Sequence, residues 1–475
     1  MNNQSKVLYN TAIQIISKVI ATALGLIAMA MMTRYLGTTG FGEYTTIVTY
    51  ISFFAIVADL GLTLITVQMI SVPGVSEKRV LDNLLALRLI SAIFFLSLGP
   101  LSVLFLPYEN SIKVGVLILS LSFIFIALNQ ILIGLFQKRL RMDKAAAAEI
   151  FGRLILVLGV YVAIKNSFGL SGLLWASVIA SFLNFALQYL LAQKFIKIGL
   201  KFDFKLWQII IKKSWPLALI IVFNLIYLKT DTLILSIVKT QEDVGIYGAA
   251  YKIIEVIVTI PFMFSGLILP FLTVSWIKKD LKKFKVVLQK SYDFMLFLAL
   301  PMIIAIQIIA PQLIFLIAGE EFMPATQVLK ILILAAGLIF IGTIFSHAII
   351  AVEKQKKLIP LYLFVSLTAL AGYLIFIPKY SYFGAAWTTI YSEAIIALAS
   401  IFYVYKFTNF LPKNYSALKA VFASTIMAVF LFFFPQNFSF SWPGLIIEVI
   451  LATLIYFLSL YLLKGFSKKD LNIIK

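Results

Sequence analysis

The sequence predicts an all-α polytopic membrane protein with about 14 transmembrane helices. Hydrophobic residues make up 62% of its 475 positions, well above the roughly 45–50% of soluble domains, and the mean hydropathy is +1.03. Apolar stretches of the roughly 17–25 residues that cross a bilayer recur along the whole chain. Lys and Arg number 40 against 20 acidic residues, and most of them lie between these stretches. Together these features predict a helical bundle in a membrane.

Fourteen apolar stretches are long enough to be spans, numbered in chain order. The first follows a single Lys and is longer than the core of a signal peptide, so we predict a span there. The predicted spans cover residues 7–33, 44–70, 83–106, 112–136, 146–164, 170–193, 215–238, 246–270, 292–317, 325–351, 358–377, 383–405, 418–434 and 444–463. Because this number is even, both termini are expected on the same side of the membrane.

The distribution of basic residues predicts that this side is the cytoplasm. With a cytoplasmic N-terminus, 29 of the 40 Lys and Arg lie in cytoplasmic segments, five lie on the opposite side and six lie within spans. Such an excess on one side is the usual signature of membrane orientation. The net charge of +20 therefore predicts contact with anionic membrane lipid rather than with nucleic acid.

A basic segment at residues 194–213 divides the chain. Its six lysines alternate with Phe, Ile, Leu and Trp, which is typical of an amphipathic helix in the headgroup plane; a solvated loop is the alternative. We predict an N-lobe at 1–193 with spans 1–6, a cytoplasmic amphipathic linker at 194–213, and a C-lobe at 214–410 with spans 7–12. Residues 411–475 are predicted to hold spans 13 and 14 and a cytoplasmic tail.

Short motifs recur at similar separations in the two predicted lobes. Phe41-Gly42-Glu43-Tyr44 opens span 2 as Val244-Gly245-Ile246-Tyr247 opens span 8, and Gly172-Leu173-Leu174-Trp175 opens span 6 as Gly384-Ala385-Ala386-Trp387 opens span 12. Repeats of six spans have the same orientation, related by an axis along the membrane normal. The alternative is coincidence, because Gly beside an interfacial aromatic residue is common at helix ends.

Ionisable residues inside the spans are the candidate functional residues. A charge at the bilayer centre costs roughly 2.5–3.5 kcal/mol on insertion scales and is usually functional, and an excess of cations suits a substrate that carries phosphate. We predict that substrate is bound by Lys18, Arg153, Lys229 and Lys252, and that an ion is coupled at Asp59, Asp231 or Glu255.

Structural roles are the alternative for each of these charges. By spacing, Lys252 can pair with Glu255 and Glu149 with Arg153 on one helix face, and long side chains near a span end, such as Arg88, can reach the interface. No Cys and a single His are present, which excludes thiolate and His-cluster metal sites. We expect no cofactor.

Several motifs together resemble the Wzx-type polysaccharide flippases of the multidrug/oligosaccharidyl-lipid/polysaccharide (MOP) exporter superfamily. Their order and spacing extend the resemblance to essentially the whole chain. The motifs are Arg34-Tyr35-Leu36-Gly37, Gly40-Phe41-Gly42-Glu43-Tyr44, Asp59-Leu60-Gly61-Leu62, Lys213-Ser214-Trp215-Pro216, Asp231-Thr232-Leu233-Ile234-Leu235 and Gly245-Ile246-Tyr247. The resemblance implies a MATE/MurJ-like fold with two six-helix lobes plus two C-terminal helices.

The resemblance also implies a function. Such a flippase moves a polyprenyl-pyrophosphate-linked oligosaccharide, such as an O-antigen unit, to the outer leaflet of the bacterial cytoplasmic (inner) membrane by alternating access, with H⁺ or Na⁺ as the coupling ion. The implied partners are the lipid-linked oligosaccharide, a polysaccharide polymerase and a chain-length regulator. The alternatives are a multidrug or cation antiporter of the same superfamily, a membrane glycan polymerase, and a structural scaffold.

Overall fold

The computed structural model describes residues 3–71 and 76–465, and within these ranges the regular structure is entirely helical. The chain forms two compact units, Met1–Gly245 and Ile246–Lys475. The helices are α1 Asn3–Asp59, α2 Leu62–Ile70, α3 Glu77–Val103, α4 Asn110–Lys138, α5 Met142–Lys165, α6 Gly169–Gln193, α7 Phe204–Val238, α8 Gln241–Ile277, α9 Leu281–Ile317, α10 Ala325–Ala351, α11 Leu358–Thr408, α12 Tyr415–Phe433, α13 Gln436–Ser439 and α14 Trp442–Leu462.

The predicted spans are present, but two pairs of them are joined without a loop. Eleven helices in the described ranges are long and apolar enough to cross a membrane, and two of these, α1 with 57 residues and α11 with 51, are twice the length that a bilayer requires. Each changes direction at one residue, Gly37 (φ 66°) in α1 and Ser381 (φ 49°) in α11. With the 35 residues of α7, the fourteen predicted spans are accounted for.

Span 2 differs from the prediction in the opposite way. The sequence predicted one continuous helix over 44–70, and the structure has a break within it. α1 ends at Asp59, Leu60 and Gly61 have positive φ angles of 49° and 73°, and α2 starts at Leu62. Glycine adopts such angles readily, whereas Leu does so at an energetic cost. The apolar pattern continues through the break, which is why periodicity alone did not reveal it.

Two of the apolar cores in the described part of the first unit contain residues of span 2. One surrounds Ile47, Leu96 and Val116, and the other surrounds Leu84 and Leu132. The second unit has a core around Phe284, Met295 and Phe345. The half of span 2 before the break packs into the first of these cores and α2 packs into the second.

The two glycines that the repeat relates lie against each other at the end of the first unit. A Cβ on Gly42 would overlap the carbonyl oxygen of Gln241, and a Cβ on Gly245 would overlap the carbonyl oxygen of Thr38. Gly42 therefore faces Gln241, four residues before Gly245, and Gly245 faces Thr38, four residues before Gly42. This reciprocal crossing of α1 and the first turn of α8 requires residues without side chains.

The basic linker is helical only from Phe204 onward, so the prediction of a helix over 194–213 was wrong for its first half. α6 ends at Gln193, and residues 197–203 are not helical. Asp203 caps α7 by accepting a hydrogen bond from the backbone N–H of Leu206, as short polar residues do at helix starts. The predicted limits of the lobes stay a prediction; the compact units divide at Gly245, after α7.

The non-helical part of the linker is bound to the first turns of α3. Asp82 Oδ1 accepts a hydrogen bond from Gly199 N at 2.7 Å. Asn83 Oδ1 accepts from Asp203 N at 2.8 Å and from Trp207 Nε1 at 3.1 Å. Asp82 and Asn83 are fully buried, so the linker is a packed part of the first unit rather than a solvated loop.

An exposed ion pair lies next to this contact. Arg79 Nη2 lies 2.5 Å from Asp203 Oδ2. The hydrogen bond from Arg79 is the main cause that lowers the pKa of the Asp203 carboxyl, with a further contribution from the Leu206 N–H. Asp203 is therefore both the cap of α7 and one of the links between α7 and α3.

Candidate functional site

Three charged side chains lie along the contact of α1 with α5. Lys18 Nζ is 3.8 Å from Glu149 Oε1, with side-chain exposures of 46% and 36%. Arg153 is also exposed, and its Nη1 lies 3.8 Å from the point where Gly25 would carry a Cβ. Of the predicted substrate-binding residues, the first unit thus brings Lys18 and Arg153 onto one pair of helices.

The partner of Glu149 is not the one that the sequence predicted. Glu149 and Arg153 are four residues apart on α5, but no salt bridge joins them; Glu149 pairs with Lys18 on α1 instead. Arg153 extends over Gly25, where the missing side chain leaves room for the guanidinium. Periodicity placed both residues on one face but gave no information about α1, which supplies the competing cation.

The surroundings of this group favour anion binding. Lys18 lies 11 residues into span 1, about 16 Å along the helix from its start. Side chains that are charged and half-exposed at this depth require water or another polar group beside them, because exposure to lipid would be costly. Two cations and one carboxylate leave a net charge of +1, and a guanidinium is suited to bidentate binding of phosphate.

Asp59, a predicted ion-coupling residue, is in a buried salt bridge. Arg88 Nη1 lies 2.6 Å from Asp59 Oδ1, and both side chains are nearly inaccessible, at 4% and 12%. Thr63 Oγ1 donates a second hydrogen bond to the same oxygen. The expectation that Arg88 reaches the interface was wrong, because a buried carboxylate lies within its reach and satisfies its charge.

The predicted residues on α7 differ in burial. Asp231 is 1% exposed, and its Oδ1 accepts hydrogen bonds from Thr232 N at 2.6 Å and Thr232 Oγ1 at 3.2 Å. Lys229 is partly exposed. Asp231 therefore lies within the packed interior of the first unit, whereas Lys229 retains access to its surroundings.

The remaining two predicted residues lie on α8 in the second unit. Lys252 Nζ is 2.8 Å from Glu255 Oε2, with side-chain exposures of 53% and 33%. The spacing of three residues correctly predicted this pair. In the described ranges, no group of three or more His, Cys, Asp or Glu has the geometry to hold a metal ion.

Two residues of the charged groups, Arg88 and Glu149, were not predicted as site residues. Arg88 was assigned to the interface because it lies near the start of span 3, and Glu149 was assigned to Arg153 by spacing. The signal for Arg88 was Asp59 followed by Gly61 within an apolar run, a pattern that indicates an interrupted helix needing a polar partner. For Glu149 no comparable signal exists in the sequence.

Comparison with known proteins gives the family and the fold. The profile of the polysaccharide biosynthesis protein family matches residues 31–327, more than half of the chain. A search of curated protein sequences found no match. This match agrees with the predicted resemblance to polysaccharide flippases.

Solved structures with similar folds are MOP superfamily members and the lipid II flippase MurJ. MurJ in an inward closed conformation matches with a TM-score of 0.76 and 18% identity over 94% of this chain and 97% of MurJ. An inward-facing MATE multidrug resistance transporter matches with a TM-score of 0.69 and 13% identity over 84% and 98%.

A third match is a MOP superfamily transporter from Pyrococcus furiosus, for which a binding pocket of reverse polarity suggests a different function. Its TM-score is 0.54 with 13% identity, over 83% of this chain and 95% of that protein. At these identities the similarity shows the fold alone. The chain belongs to the polysaccharide biosynthesis protein family, and it has the MurJ/MATE-like fold of the MOP superfamily.

Proposed function

We propose that this protein is a flippase for a polyprenyl-pyrophosphate-linked oligosaccharide, which it moves from the cytoplasmic to the outer leaflet of the bacterial cytoplasmic (inner) membrane. The family supports a role in polysaccharide synthesis, and the fold supports transport. The observation that carries the proposal is the pair of exposed cations, Lys18 and Arg153, which lie within predicted spans along the contact of α1 with α5.

In this proposal the pyrophosphate binds between Lys18 and Arg153. Lys18 is 3.8 Å from Glu149, a distance too long for a strong charge-assisted hydrogen bond, so its ammonium has donors left for an anion. The guanidinium of Arg153 can bind a second phosphate oxygen. Lys229 in the first unit and Lys252 in the second stay separate predictions as substrate-binding residues, and both keep partial exposure.

Among the proposed ion-coupling residues, Asp231 fits the role better than the other two. Asp231 is more deeply buried than either and lies seven residues before the end of α7. We propose H⁺ or Na⁺ binding there as the coupling step, with no other cofactor.

The start of α7 supports the proposed contact with anionic lipid. Phe202, Phe204 and Ile209 are more than half exposed, and they alternate with Lys201, Lys205, Lys212 and Lys213. Apolar side chains interleaved with lysines favour the headgroup layer of an anionic membrane. We propose that residues 201–213 lie at the cytoplasmic surface and that both termini are in the cytoplasm.

A binding experiment tests the proposed site. The purified protein is titrated with a short-chain polyprenyl pyrophosphate and, as a matched ligand without charge, the corresponding polyprenyl alcohol. We expect the pyrophosphate to bind more tightly than the alcohol. Arg153→Ala should weaken binding of the pyrophosphate roughly 10- to 100-fold without affecting the alcohol, because a hydrogen bond to a charged group is worth about 1.5–3 kcal/mol. Lys285→Ala, outside the predicted spans, serves as the control. Equal binding of both ligands by the unmodified protein would refute the anion site.

A multidrug or cation antiporter is the second candidate, because an inward-facing MATE transporter shares the fold. Such a protein would bind cations at acidic residues. The carboxylates at the two best-defined interior pairs, Glu149 and Glu255, are each beside a lysine, which disfavours cation binding there. Partnership with a polysaccharide polymerase and a chain-length regulator is proposed on the basis of the family alone.

A further inference from the structure

The break in span 2 leaves backbone groups that a continuous helix would pair. α1 ends at Asp59 and α2 starts at Leu62, so the regular bonding between successive turns is interrupted. An unpaired carbonyl inside a membrane costs several kcal/mol. At this break the carbonyl of Ala58 accepts from Arg88 Nη1 at 3.2 Å and from Ser91 Oγ at 2.9 Å, both on α3.

Arg88 joins three helices at this point. Its Nη1 contacts Asp59 at the end of α1 and its Nε donates to the carbonyl of Ala127 on α4 at 3.1 Å. Ala127 belongs to one apolar core of the first unit and Leu128 to the other. Arg88 therefore lies at the boundary between the two cores.

Charged side chains lie at both ends of α2. Asp59 lies before its N-terminus, where a helix favours negative charge. At its C-terminus the carbonyl of Ile70 accepts a hydrogen bond from Lys138 Nζ on α4. Leu62 and Ile65 pack into the core around Leu84, whereas the preceding half of span 2 packs into the other core.

We propose that the Leu60–Gly61 break is a hinge in span 2 and that Arg88 is the positioning residue that latches it. The two halves of the span pack into separate cores and the helix is interrupted between them, so the connecting residues are the point at which one half can tilt relative to the other. Arg88 holds the present arrangement by binding the last carboxylate and the orphaned carbonyl of α1 while anchored to α4. A lysine could satisfy Asp59 but could not reproduce the guanidinium fork.

The hinge is tested by distance measurement between spin labels within the first unit. Because the chain has no Cys, engineered cysteines are the only labelling sites. One pair joins α2 to α4 (Gln68→Cys with Leu117→Cys), and a control pair joins α3 to α4 (Ile93→Cys with Leu117→Cys). All three positions are exposed. In the unmodified background we expect one narrow distance distribution for each pair.

Replacing Arg88 should release α2 selectively. In Arg88→Gln we expect a second population or a broadened distribution for the α2–α4 pair and no change for the α3–α4 pair. Arg88→Lys should give a distribution for the α2–α4 pair that is broader than in the unmodified background and narrower than in Arg88→Gln. This variant serves as the test if Arg88→Gln does not accumulate in the membrane. The matched control is Arg139→Gln, which removes an exposed arginine paired with Glu77 and should change neither distribution.

The double variant Asp59→Asn with Arg88→Gln distinguishes two roles of Arg88, the positioning of span 2 and the simple neutralisation of a buried charge. If the pair only neutralises two buried charges, the double variant regains the unmodified distribution, and the proposal is wrong. If Arg88 is the latch, the double variant stays broad, because Gln cannot bind the carbonyls of both Ala58 and Ala127. An unchanged α2–α4 distribution in folded Arg88→Gln would also refute the hinge. No substrate is needed, so the result is independent of the proposed function.

Discussion

Arg153 lies within a predicted span of the first unit, and its surroundings leave it accessible to a ligand. It is exposed, it extends over Gly25, and the carboxylate four residues before it is bound to Lys18. Arg88, by contrast, is fully occupied by Asp59 and two backbone carbonyls. Two arginines inside the same unit thus have opposite roles, which their contacts show and their sequence positions do not.

Because of this difference, the two arginines should respond differently to replacement by lysine. Arg153→Lys should retain part of the binding of polyprenyl pyrophosphate, since a lysine keeps the positive charge but not the guanidinium fork, and it should leave thermal stability unchanged. Arg88→Lys should instead lower thermal stability, because a buried carboxylate and two carbonyls lose part of their donor set. Melting curves of the two purified variants, measured beside ligand titrations, check both expectations. Equal loss of stability in the two variants would contradict the distinction.

The glycine crossing predicts strong intolerance of side chains at two positions. Gly42→Ala and Gly245→Ala each place a methyl group onto a backbone carbonyl that belongs to another helix. We expect each to lower the free energy of unfolding by about 1–3 kcal/mol, as overpacking does, with a lower melting temperature by size-exclusion fluorescence. Gly266→Ala is the control, because nothing lies within 4 Å of its missing Cβ. Normal stability of both crossing variants would show that the helices can separate there without loss.

The sequence was informative about which residues lie in the interior and less so about their partners. Depth identified Lys18, Arg153 and Asp59 as interior charges, and helical spacing identified the Lys252–Glu255 pair. Contacts between distant helices, such as Arg88 with Asp59, depend on which helices are neighbours. Periodicity along one helix does not contain that information.

At the scale of secondary structure, the linker between α6 and α7 is the clearest example of tertiary contacts overriding a local pattern. Its lysines and aromatic residues favour an amphipathic helix, yet residues 197–203 are not helical. Their backbone N–H groups at Gly199 and Asp203 bond to Asp82 and Asn83 instead of to a helix. The amphipathic helix is present from Phe204 onward, which is the part of the prediction that the structure retains.

Asn83 should therefore control the order of the linker. Asn83→Ala removes the acceptor for both Asp203 N and Trp207 Nε1, at a cost of about 1–3 kcal/mol for buried donors left unpaired. We expect faster amide hydrogen exchange at residues 199–207 and a shift in Trp207 fluorescence. Asn166→Ala, at an exposed site where the amide bonds only to its own helix, should leave both signals unchanged. Unaltered exchange in Asn83→Ala would mean that other contacts hold the linker.

The contact between the linker and α3 should also weaken in acid. The pKa of Asp203 is lowered mainly by its hydrogen bond from Arg79, so its contribution to stability is complete above the unfolded-state pKa of about 3.9. That contribution is lost as the pH falls through the lower folded-state pKa. Protection factors at residues 199–207, which correct for the intrinsic pH dependence of amide exchange, should fall over this acid range, and Asp203→Asn should remove that change. A dependence that persists in the variant would assign it to another group.

For the molecule as a whole, length, composition and basic-residue distribution predicted the fold class and the number of spans. They did not predict that spans 1 and 2, and spans 11 and 12, are joined through single non-helical residues, Gly37 and Ser381. Arg34 and Lys379 lie close to these turns, and their charges resemble those of loop residues. Only the backbone angles distinguish a sharp helical kink from a loop.

The predicted orientation can be tested with single cysteines, because the chain contains none. Cysteines at Lys197 and Lys282 should be protected from a membrane-impermeant maleimide in intact cells and react after permeabilisation. A cysteine at Lys165, on the opposite side in the predicted topology, should react without permeabilisation. Reaction of Lys197→Cys in intact cells would reverse the assignment of the basic segments.

The most direct test of the central claim is a translocation measurement with the unmodified protein reconstituted in vesicles. A fluorescent polyprenyl-pyrophosphate oligosaccharide and a cationic dye are compared, each with and without an imposed H⁺ or Na⁺ gradient. We expect the lipid-linked sugar to cross the bilayer, an ion gradient to accelerate its movement, and the dye not to cross. Movement of the dye without movement of the sugar would contradict the account and place the protein among the multidrug transporters of its superfamily.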